Sequence, residues 1–298
     1  MSSSSSADVG HGRHDLGRLV VRCPDRPGII AAVSGFLFRH GANIVHSDQH
    51  STDPVGGRFF LRVEFALPDL QSRLRGLREG FAEVAAAHRM DARFSAEPER
   101  RRVAIFVSRE DHCLLELLWR HRAGETSAEY VCVVGNHAEL AQVVSPWSIP
   151  FHHVPIDSIT KPEAEAQQQD LLASYGVELV VLARYMQVLS PEFVAAWQGR
   201  AINIHHSFLP AFPGARPFHQ ASVRGVKLIG ATAHYVTGEL DAGPIIEQDV
   251  QRVDHRHDVT DLRRLSRQIE RTVLARAVTW HLEDRVLIDG NRTIVFGP

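Results

Sequence analysis

The sequence predicts a two-domain α/β protein, in which a doubly wound and mostly parallel sheet follows a smaller α+β domain. Three observations predict this class. The runs VAIFVS, YVCVVG and VELVVLA are continuously apolar, as in strands that are buried on both faces of a parallel sheet. Helical stretches over 114–121 and 163–175 separate these runs, which gives a strand–helix–strand rhythm. A shorter pattern of six elements near the amino terminus predicts the smaller domain.

The smaller domain begins with the apolar strand LGRLVVRC and a PDRPG turn. Apolar side chains then recur with the helical period up to Gly41, which stands where a helix often ends. A strand at ANIVHSDQHS follows, and then a second strand, FFLRVEFAL, in which apolar residues alternate as on a half-buried sheet. A helix over 70–88 and a short strand near 90–94 complete a ferredoxin-like order.

Shifts in composition predict the domain boundaries. Residues 1–14 are rich in Ser, Gly, His and Asp, and they predict a disordered tail. We expect the smaller domain over 15–95 and a linker over 96–102, within the charged, proline-bearing segment SAEPERRR. The larger domain is expected over 103–298, and it includes a long helix over 259–283.

The composition limits the classes of protein to which this chain can belong. With 298 residues, of which 44% are hydrophobic and 23% charged, the chain has an ordinary globular composition. Its 33 Lys and Arg nearly balance its 35 Asp and Glu, which argues against a nucleic-acid-binding surface. The three cysteines form no Cys-x-x-Cys pair, and no apolar leader or membrane-length run occurs. These features favour a cytoplasmic protein without membrane attachment.

The segment RAINIHHSFLPAFPGARPFHQA holds the first candidate site residues. A predicted strand ends here in polar residues, and side chains two positions apart in a strand point to the same side. Asn203 and His205 should therefore lie together. An amide donor beside an imidazole can polarise a carbonyl group and transfer its proton. The alternative is that Asn203 caps the turn and the histidines are solvated; the spacing alone leaves both interpretations open.

Two further segments end strands with residues suited to a ligand site. In GATAHYVTGELDAGPII, Asp241 lies in a turn between two apolar runs, where a purely structural role is the alternative. In LARYMQVLSP, a buried strand runs into Arg184, Tyr185, Met186 and Gln187. An aromatic ring and a flexible thioether at a strand end can line a flat apolar ligand, although such residues also simply pack.

Several kinds of site are missing from the sequence. It has no Gly-x-Gly-x-x-Gly after a strand, no Gly-x-x-x-x-Gly-Lys-Ser/Thr, no Gly-x-Ser-x-Gly and no His-Glu-x-x-His. The first strand of the larger domain ends in SREDH (108–112), whose two carboxylates and lack of glycine make it a poor phosphate site. Histidines occur in pairs without a tetrahedral set of partners, so we predict no metal and no cofactor.

Together these segments resemble the folate-dependent formyltransferase family. In that family an Asn-x-His strand end, followed by Ser-x-Leu-Pro and a Pro-Gly turn, faces a Leu-Asp-x-Gly-Pro loop. The amino-terminal CPDRPGII and HGANI resemble an ACT regulatory domain, and the combination resembles the formyltetrahydrofolate deformylases from about residue 17 onward. The matching loop positions are Asn203, His205, Ser207, Leu209, Pro210, Pro213, Gly214, Leu240, Asp241, Gly243 and Pro244.

The resemblance implies hydrolysis of 10-formyltetrahydrofolate, as a substrate and not a cofactor, to formate and tetrahydrofolate. It implies that Asn203 stabilises the oxyanion, that His205 moves protons, and that Asp241 orients the imidazole or the water. The pterin would lie between the end of the LARYMQVLS strand and the loop before GPII. The substrate-binding residues implied in this way are Arg184, Tyr185, Met186, Gln187, Val188, Leu189 and Leu240.

Two departures from related patterns bear on this expectation. Glycinamide ribonucleotide transformylases resemble the larger domain but carry a glycine-rich phosphate loop where this chain has SREDHCL. Loss of that loop favours water as the formyl acceptor. The segment SRQIER (266–271) stands where the family pattern begins with glycine. We expect this second departure to affect only helix packing or assembly.

The ACT-like segment implies regulation. Such domains bind small amino acids between paired copies, so the resemblance implies a homo-oligomer with glycine or methionine as effector. The residues implied are Asp25, Arg26, Gly28 and Ile29 at the strand-to-helix turn. The alternative is a purely structural dimerisation module. For the whole chain, the alternatives are formyl transfer to glycinamide ribonucleotide or to an aminoacyl-tRNA, and a folate sensor without turnover.

Overall fold

The computed structural model describes residues 15–53, 55–97, 100–157, 160–210 and 217–297. The predicted tail over 1–14, and Pro213 and Gly214 of the family pattern, lie outside the described residues. The chain forms two compact units, residues 1–99 with 296–298 and residues 100–295. Among the helices in the described ranges, none combines the length and apolar character that a bilayer span requires.

The smaller unit has the six predicted elements in the predicted order. Its four strands form an antiparallel sheet in the order β2-β3-β1-β4. Both helices pack on this sheet, and their Phe36 and Phe81 rings meet edge to face with centroids 5.0 Å apart. The elements are β1 (Leu16–Pro24), α1 (Ile29–Arg39), β2 (Asn43–Ser51), β3 (Arg58–Ala66), α2 (Leu70–His88) and β4 (Asp91–Ala96).

The larger unit is a seven-stranded sheet with helices packed on it, in the strand order β11-β10-β9-β8-β5-β6-β7. Strands β9, β8, β5, β6 and β7 are parallel, whereas β10 runs antiparallel to β9 and β11. The predicted fold class is therefore confirmed. The elements are β5 (Arg101–Val107), α3 (His112–Arg122), β6 (Ala128–Gly135), α4 (Ala141–Val144), β7 (Phe151–His153), α5 (Lys161–Ser174), β8 (Leu179–Ala183), α6 (Pro191–Ala196), β9 (Ala201–His205), α7 (Pro217–Arg224), β10 (Leu228–Tyr235), β11 (Ile245–Arg252), α8 (Val259–Leu282), β12 (Val286–Asp289) and β13 (Arg292–Val295).

The continuous apolar runs form the centre of this sheet, as predicted. Residues 103–107 of β5 are fully buried, and all of β8 is buried, because helices cover both faces. Helix α8 begins with a capping box in which Asp258 and Asp261 bond each other's backbone N–H groups. Strand β5 begins at Arg101, inside the predicted linker. It begins there because Arg101 already pairs with Ala128 in the parallel ladder between β5 and β6.

The order of the strands determines where polar strand ends meet. Strands β8 and β9 are parallel neighbours, so the segments that follow Ala183 and His205 emerge side by side. Strand β10 pairs with β9 on its other side, and its His234 lies opposite Asn203 in the antiparallel register. Ligands of open α/β sheets bind outside the carboxyl ends of the strands. This edge of the sheet is therefore where a site is expected.

Candidate active site

A cavity of about 350 Å³, the first cavity, lies at the carboxyl ends of β8 and β9. Its volume is in the range that small-molecule sites occupy. The structure brings every predicted catalytic and substrate-binding residue to its wall: Arg184, Tyr185, Met186, Gln187, Val188, Leu189, Asn203, His205, Leu240 and Asp241. The three segments singled out in the sequence therefore share one cavity.

His205 and Asp241 form a pair at the polar end of the first cavity. The Nδ1 atom of His205 lies 3.2 Å from Oδ2 of Asp241. Hydrogen bonding to His205, the largest cause, holds the pKa of the Asp241 carboxyl well below its usual range. The Nε2 atom of His205 is buried and has no hydrogen-bond partner among the described residues. The carboxylate therefore orients the ring, and its second nitrogen remains available to a ligand.

Asn203 is held by His234, a residue that the sequence reasoning missed. The Nδ1 atom of His234 lies 2.9 Å from the Tyr235 carbonyl oxygen. A carbonyl only accepts, so Nδ1 donates to it, and Nε2 accepts from the Asn203 Nδ2 atom at 3.2 Å. This bond sets the direction of the amide and leaves one amide hydrogen for a ligand. We call Asn203, His205, His234 and Asp241 the cavity cluster.

A signal for His234 does exist in the sequence. The run GATAHYV is otherwise a predicted apolar strand, and a histidine inside it needs polar partners when it is buried. His234 is only 2% exposed, and its Nε2 lies 3.7 Å from Oδ1 of Asp241 as well. Because those partners come from a neighbouring strand and from a loop, the sequence alone could not supply them.

Buried hydroxyl groups fix the two loops that flank the first cavity. The Ser108 Oγ donates to Asn136 Oδ1 at 2.7 Å and accepts from the Met186 backbone N–H at 2.9 Å. The Thr232 Oγ1 donates to the Ser207 carbonyl at 2.9 Å and accepts from the Leu209 backbone N–H at 3.0 Å. Ser108 directly follows the end of β5 and Thr232 lies in β10, and each hydroxyl bonds the backbone of a loop. They hold the start of each loop in one position.

The opposite end of the first cavity is apolar and open. Met186, Val188 and Leu240 are 59%, 59% and 68% exposed, although their side chains are large and apolar. Exposed apolar groups around a cavity mark a ligand surface. Tyr185, by contrast, is buried, and its hydroxyl accepts from Gln168 at 2.9 Å. Burial raises the pKa of Tyr185 to about 12, so its phenol stays neutral.

Arg184 belongs to a second set of polar groups, which we call the Glu270 network: His112, Arg184, Ser266 and Glu270. The Glu270 carboxylate is 2% exposed and accepts from His112 Nε2 at 2.9 Å and from Ser266 Oγ at 2.6 Å. Burial alone would raise the pKa of Glu270, but the hydrogen bond from His112 and the Arg184 charge lower it to about 2. Ser266 thus has a polar role that the expectation of simple helix packing did not include.

His112, Cys113 and Glu270 are a group of three metal-ligand types within 4.8 Å of one another in the described part of the chain. Three features argue against a cation there. The Arg184 guanidinium Nε lies 3.4 Å from the Glu270 carboxylate. The imidazole of His112 already bonds that carboxylate, and burial raises the pKa of the Cys113 thiol well above its usual range. The absence of a metal site remains a prediction.

The turn before α1 holds the four predicted regulatory residues. Gly28 has φ of 93°, a backbone conformation that glycine adopts readily, and it leaves open space where a side chain would stand. Asp25 accepts a hydrogen bond from Ser51, and Arg26 donates to the Ala87 carbonyl. The side chain of Ile29 is buried in the unit's core. Asp25 and Arg26 are half-buried and offer polar side chains, the exposed Gly28 offers its backbone, and Ile29 also offers only its backbone.

Comparisons with known proteins cover almost the whole chain. The formyl transferase family matches residues 101–278, and the ACT domain family matches residues 17–75. A formyltetrahydrofolate deformylase of Bacillus subtilis is 54% identical over 285 residues, which are 96% of this chain and 95% of that relative.

Solved structures agree with these matches. The crystal structure of a formyltetrahydrofolate deformylase from Pseudomonas syringae has a TM-score of 0.90 and 48% identity, and the match covers 95% of this chain and 94% of that one. A glycinamide ribonucleotide transformylase from Symbiobacterium toebii has a TM-score of 0.63 and 30% identity, over 68% of this chain and 97% of that one. The ACT unit distinguishes the two relatives, because only the deformylases match the chain along both units. The chain therefore belongs to the formyltetrahydrofolate deformylase family.

Proposed function

We propose that this protein hydrolyses 10-formyltetrahydrofolate to formate and tetrahydrofolate. The observation that carries the proposal is the cavity cluster. An imidazole nitrogen that has no hydrogen-bond partner in the described ranges and an oriented amide share one cavity with an apolar mouth. The names of the relatives support the same reaction. The proposed reaction uses water as its second reactant and needs no metal and no cofactor.

Each residue of the cavity cluster has its own role in the proposed hydrolysis. His205 Nε2 takes a proton from water as the water oxygen attacks the formyl carbon. The Asp241 carboxylate stabilises the imidazolium that forms, because it lies 3.2 Å from Nδ1. The carbon–N10 bond then breaks, and His205 returns the proton to N10. Formate and tetrahydrofolate are the products, and the imidazole is neutral again.

Asn203 stabilises the charge that develops between these steps. As water adds, the formyl oxygen becomes an oxyanion that needs a hydrogen-bond donor. The amide hydrogen of Asn203 that His234 does not use is such a donor. One donor of this kind lowers a barrier by roughly 3 to 4 kcal/mol. The cavity cluster thus provides a proton carrier and an oxyanion donor at one carbon.

The apolar side of the first cavity suits a flat pterin ring. Met186, Val188 and Leu240 offer exposed apolar surface, and the backbone between Arg184 and Leu189 offers polar groups for the edge of the ring. We assign substrate binding to this surface, together with Tyr185 and Gln187. The mobile thioether of Met186 adapts to the ring face.

The test is incubation of the purified protein with 10-formyltetrahydrofolate, with and without glycinamide ribonucleotide. Formate, tetrahydrofolate and formylated glycinamide ribonucleotide are each measured. We expect formate equal to tetrahydrofolate and no dependence on the added amine. Folate binding without any product would instead identify a sensor, and formyl transfer to the amine would identify a transferase.

We propose that the smaller unit, which contains the ACT match over residues 17–75, regulates the hydrolysis rate and that the protein is a cytoplasmic homo-oligomer. Glycine or methionine would bind at Asp25, Arg26, Gly28 and Ile29, where the turn leaves space and polar groups. Calorimetric titration of each amino acid, with the rate measured in parallel, tests this assignment. Neither heat nor a change in rate would leave the unit a structural dimerisation module.

A further inference from the structure

A second cavity, also of about 350 Å³, lies next to the first. Arg184 and His206 line both cavities, so their side chains form the boundary between the two. The remaining residues of the second cavity are Glu110, His112, Phe218, Arg263, Arg267 and Glu270. The proposed hydrolysis does not use the second cavity.

The backbone of Arg184 adopts a conformation that favours glycine, which indicates that the arginine side chain has a role at this position. Its φ is 62°, in the left-handed region, where a residue with a Cβ atom is strained relative to glycine. The side chain is 13% exposed, and its Nε lies 3.4 Å from the Glu270 carboxylate. The charged contact offsets the backbone strain and holds the side chain at the boundary.

Both boundary groups are held by neighbours. Glu270 is itself fixed by Ser266 and His112, so Arg184 contacts a carboxylate that cannot easily move away. The His206 ring packs on Phe218 with centroids 5.6 Å apart. Burial, together with the charge of Arg184, lowers the pKa of His206 to about 4, so the ring is neutral near pH 7. The boundary is therefore a guanidinium that is ion-paired with a buried carboxylate, and a packed neutral imidazole.

The second cavity has the chemistry of a site for a small polar molecule. Among the described residues, three guanidinium groups and two carboxylates line it, and Arg267 pairs with Glu110 at 2.9 Å. A primary amine with polar substituents fits such a lining. An amine in this cavity would stand next to the formyl carbon bound in the first cavity, separated from it by the boundary residues.

We infer that Arg184, held by Glu270, determines the acceptor specificity of the enzyme by keeping amines away from the formyl carbon. The inference rests on the proposed function. With the boundary intact, only water reaches the carbon, and formate leaves. With the boundary open, an amine nitrogen attacks the same carbon, the carbon–N10 bond breaks, and the proton lost by the amine passes to N10. The products are then a formamide and tetrahydrofolate.

The experiment compares the wild-type protein with Arg184→Gly and Arg184→Lys in the presence of glycinamide. Glycine suits the positive φ and removes the side chain, whereas lysine retains a long cation. The readout is the ratio of N-formylglycinamide to formate, with tetrahydrofolate measured as the total. We expect only formate from the wild type and Arg184→Lys, and a ratio roughly tenfold or more above background in Arg184→Gly.

A second variant keeps the test decisive if Arg184→Gly does not fold. Glu270→Gln retains the shape of the side chain but removes the charge that holds Arg184, so a smaller rise in the ratio is expected. Folding is checked by circular dichroism and folate binding by fluorescence. The inference is overturned if the ratio of N-formylglycinamide to formate is unchanged in every variant that folds. It is also overturned if a variant that binds folate loses all turnover. A wild-type protein that releases no formate would instead overturn the proposed function.

Discussion

The cavity cluster and the Glu270 network contain the same kinds of group, but their carboxylates differ in burial and in their partners. In each, one imidazole nitrogen has no hydrogen-bond partner among the described residues: His205 Nε2 in the cluster and His112 Nδ1 in the network. Each pairs a histidine with a carboxylate in the interior of the larger unit. In the Glu270 network both carboxylate oxygens have close partners: Ser266 on one, and His112 with Arg184 on the other. In the cavity cluster, the Asp241 side chain is 19% exposed and lies with His205 at the first cavity.

This difference separates a reactive role from a positioning role. A polar group whose hydrogen-bonding capacity is filled holds its neighbours in place, whereas a preorganised group with free capacity can bind a reacting atom. Substitutions in the cavity cluster should therefore reduce turnover first. Substitutions in the Glu270 network should reduce stability first.

The largest effect is expected for His205→Ala. The variant removes the group that moves protons, so kcat should fall by about 10²- to 10⁴-fold. Asp241→Asn should also lower kcat, since it removes the charge that stabilises the imidazolium. Formate release in a single turnover measures both. His255→Ala, in an exposed loop, is the matched control and should retain wild-type kcat; a wild-type rate in either cluster variant would remove that residue from the mechanism.

The next largest effect on kcat is expected for Asn203→Ala. Its hydrogen bond strengthens as the oxyanion forms, so kcat should fall by about 10²- to 10³-fold while KM changes little. Steady-state kinetics over a range of folate concentrations separates the two parameters. A rise in KM alone would assign Asn203 to substrate binding and leave the oxyanion without its proposed donor.

His234→Phe should have a smaller effect, because the residue acts through Asn203. Loss of the 3.2 Å bond lets the amide rotate, and we expect kcat to fall roughly tenfold with KM unchanged. The decisive measurement is a double-mutant cycle with Asn203→Ala. If the phenylalanine lowers kcat as much in the alanine background as in the wild type, His234 does not act by orienting the amide.

Glu270→Gln should affect stability, with a dependence on pH. The folded-state pKa of about 2 lies below the ordinary value of 4.5, so the charged form favours the folded state. This contribution, roughly 3 kcal/mol, is fully present above pH 4.5 and is lost as the pH falls toward 2. Urea unfolding of both proteins across this range should show a difference that shrinks with falling pH. A constant difference would mean that the variant acts through packing.

The sequence alone predicted the fold class and the family, and both predictions are confirmed. Continuous apolar runs such as β8 require burial on both faces, and that requirement is a local property of the run. The positions of Asn203, His205 and Asp241 in one cavity were also expected, from their places at strand ends and from the resemblance. Their catalytic roles remain predictions.

Only the tertiary structure decided which polar groups act together. His234 reaches Asn203 because β10 pairs with β9 in one register, and Ser266 reaches a charged network instead of packing against apolar neighbours. Arg184 lies between two cavities because its strand ends beside α8. Hydrogen bonding and burial depend on residues far apart in the chain. Local patterns therefore determined the strands and helices, and long-range packing determined their chemistry.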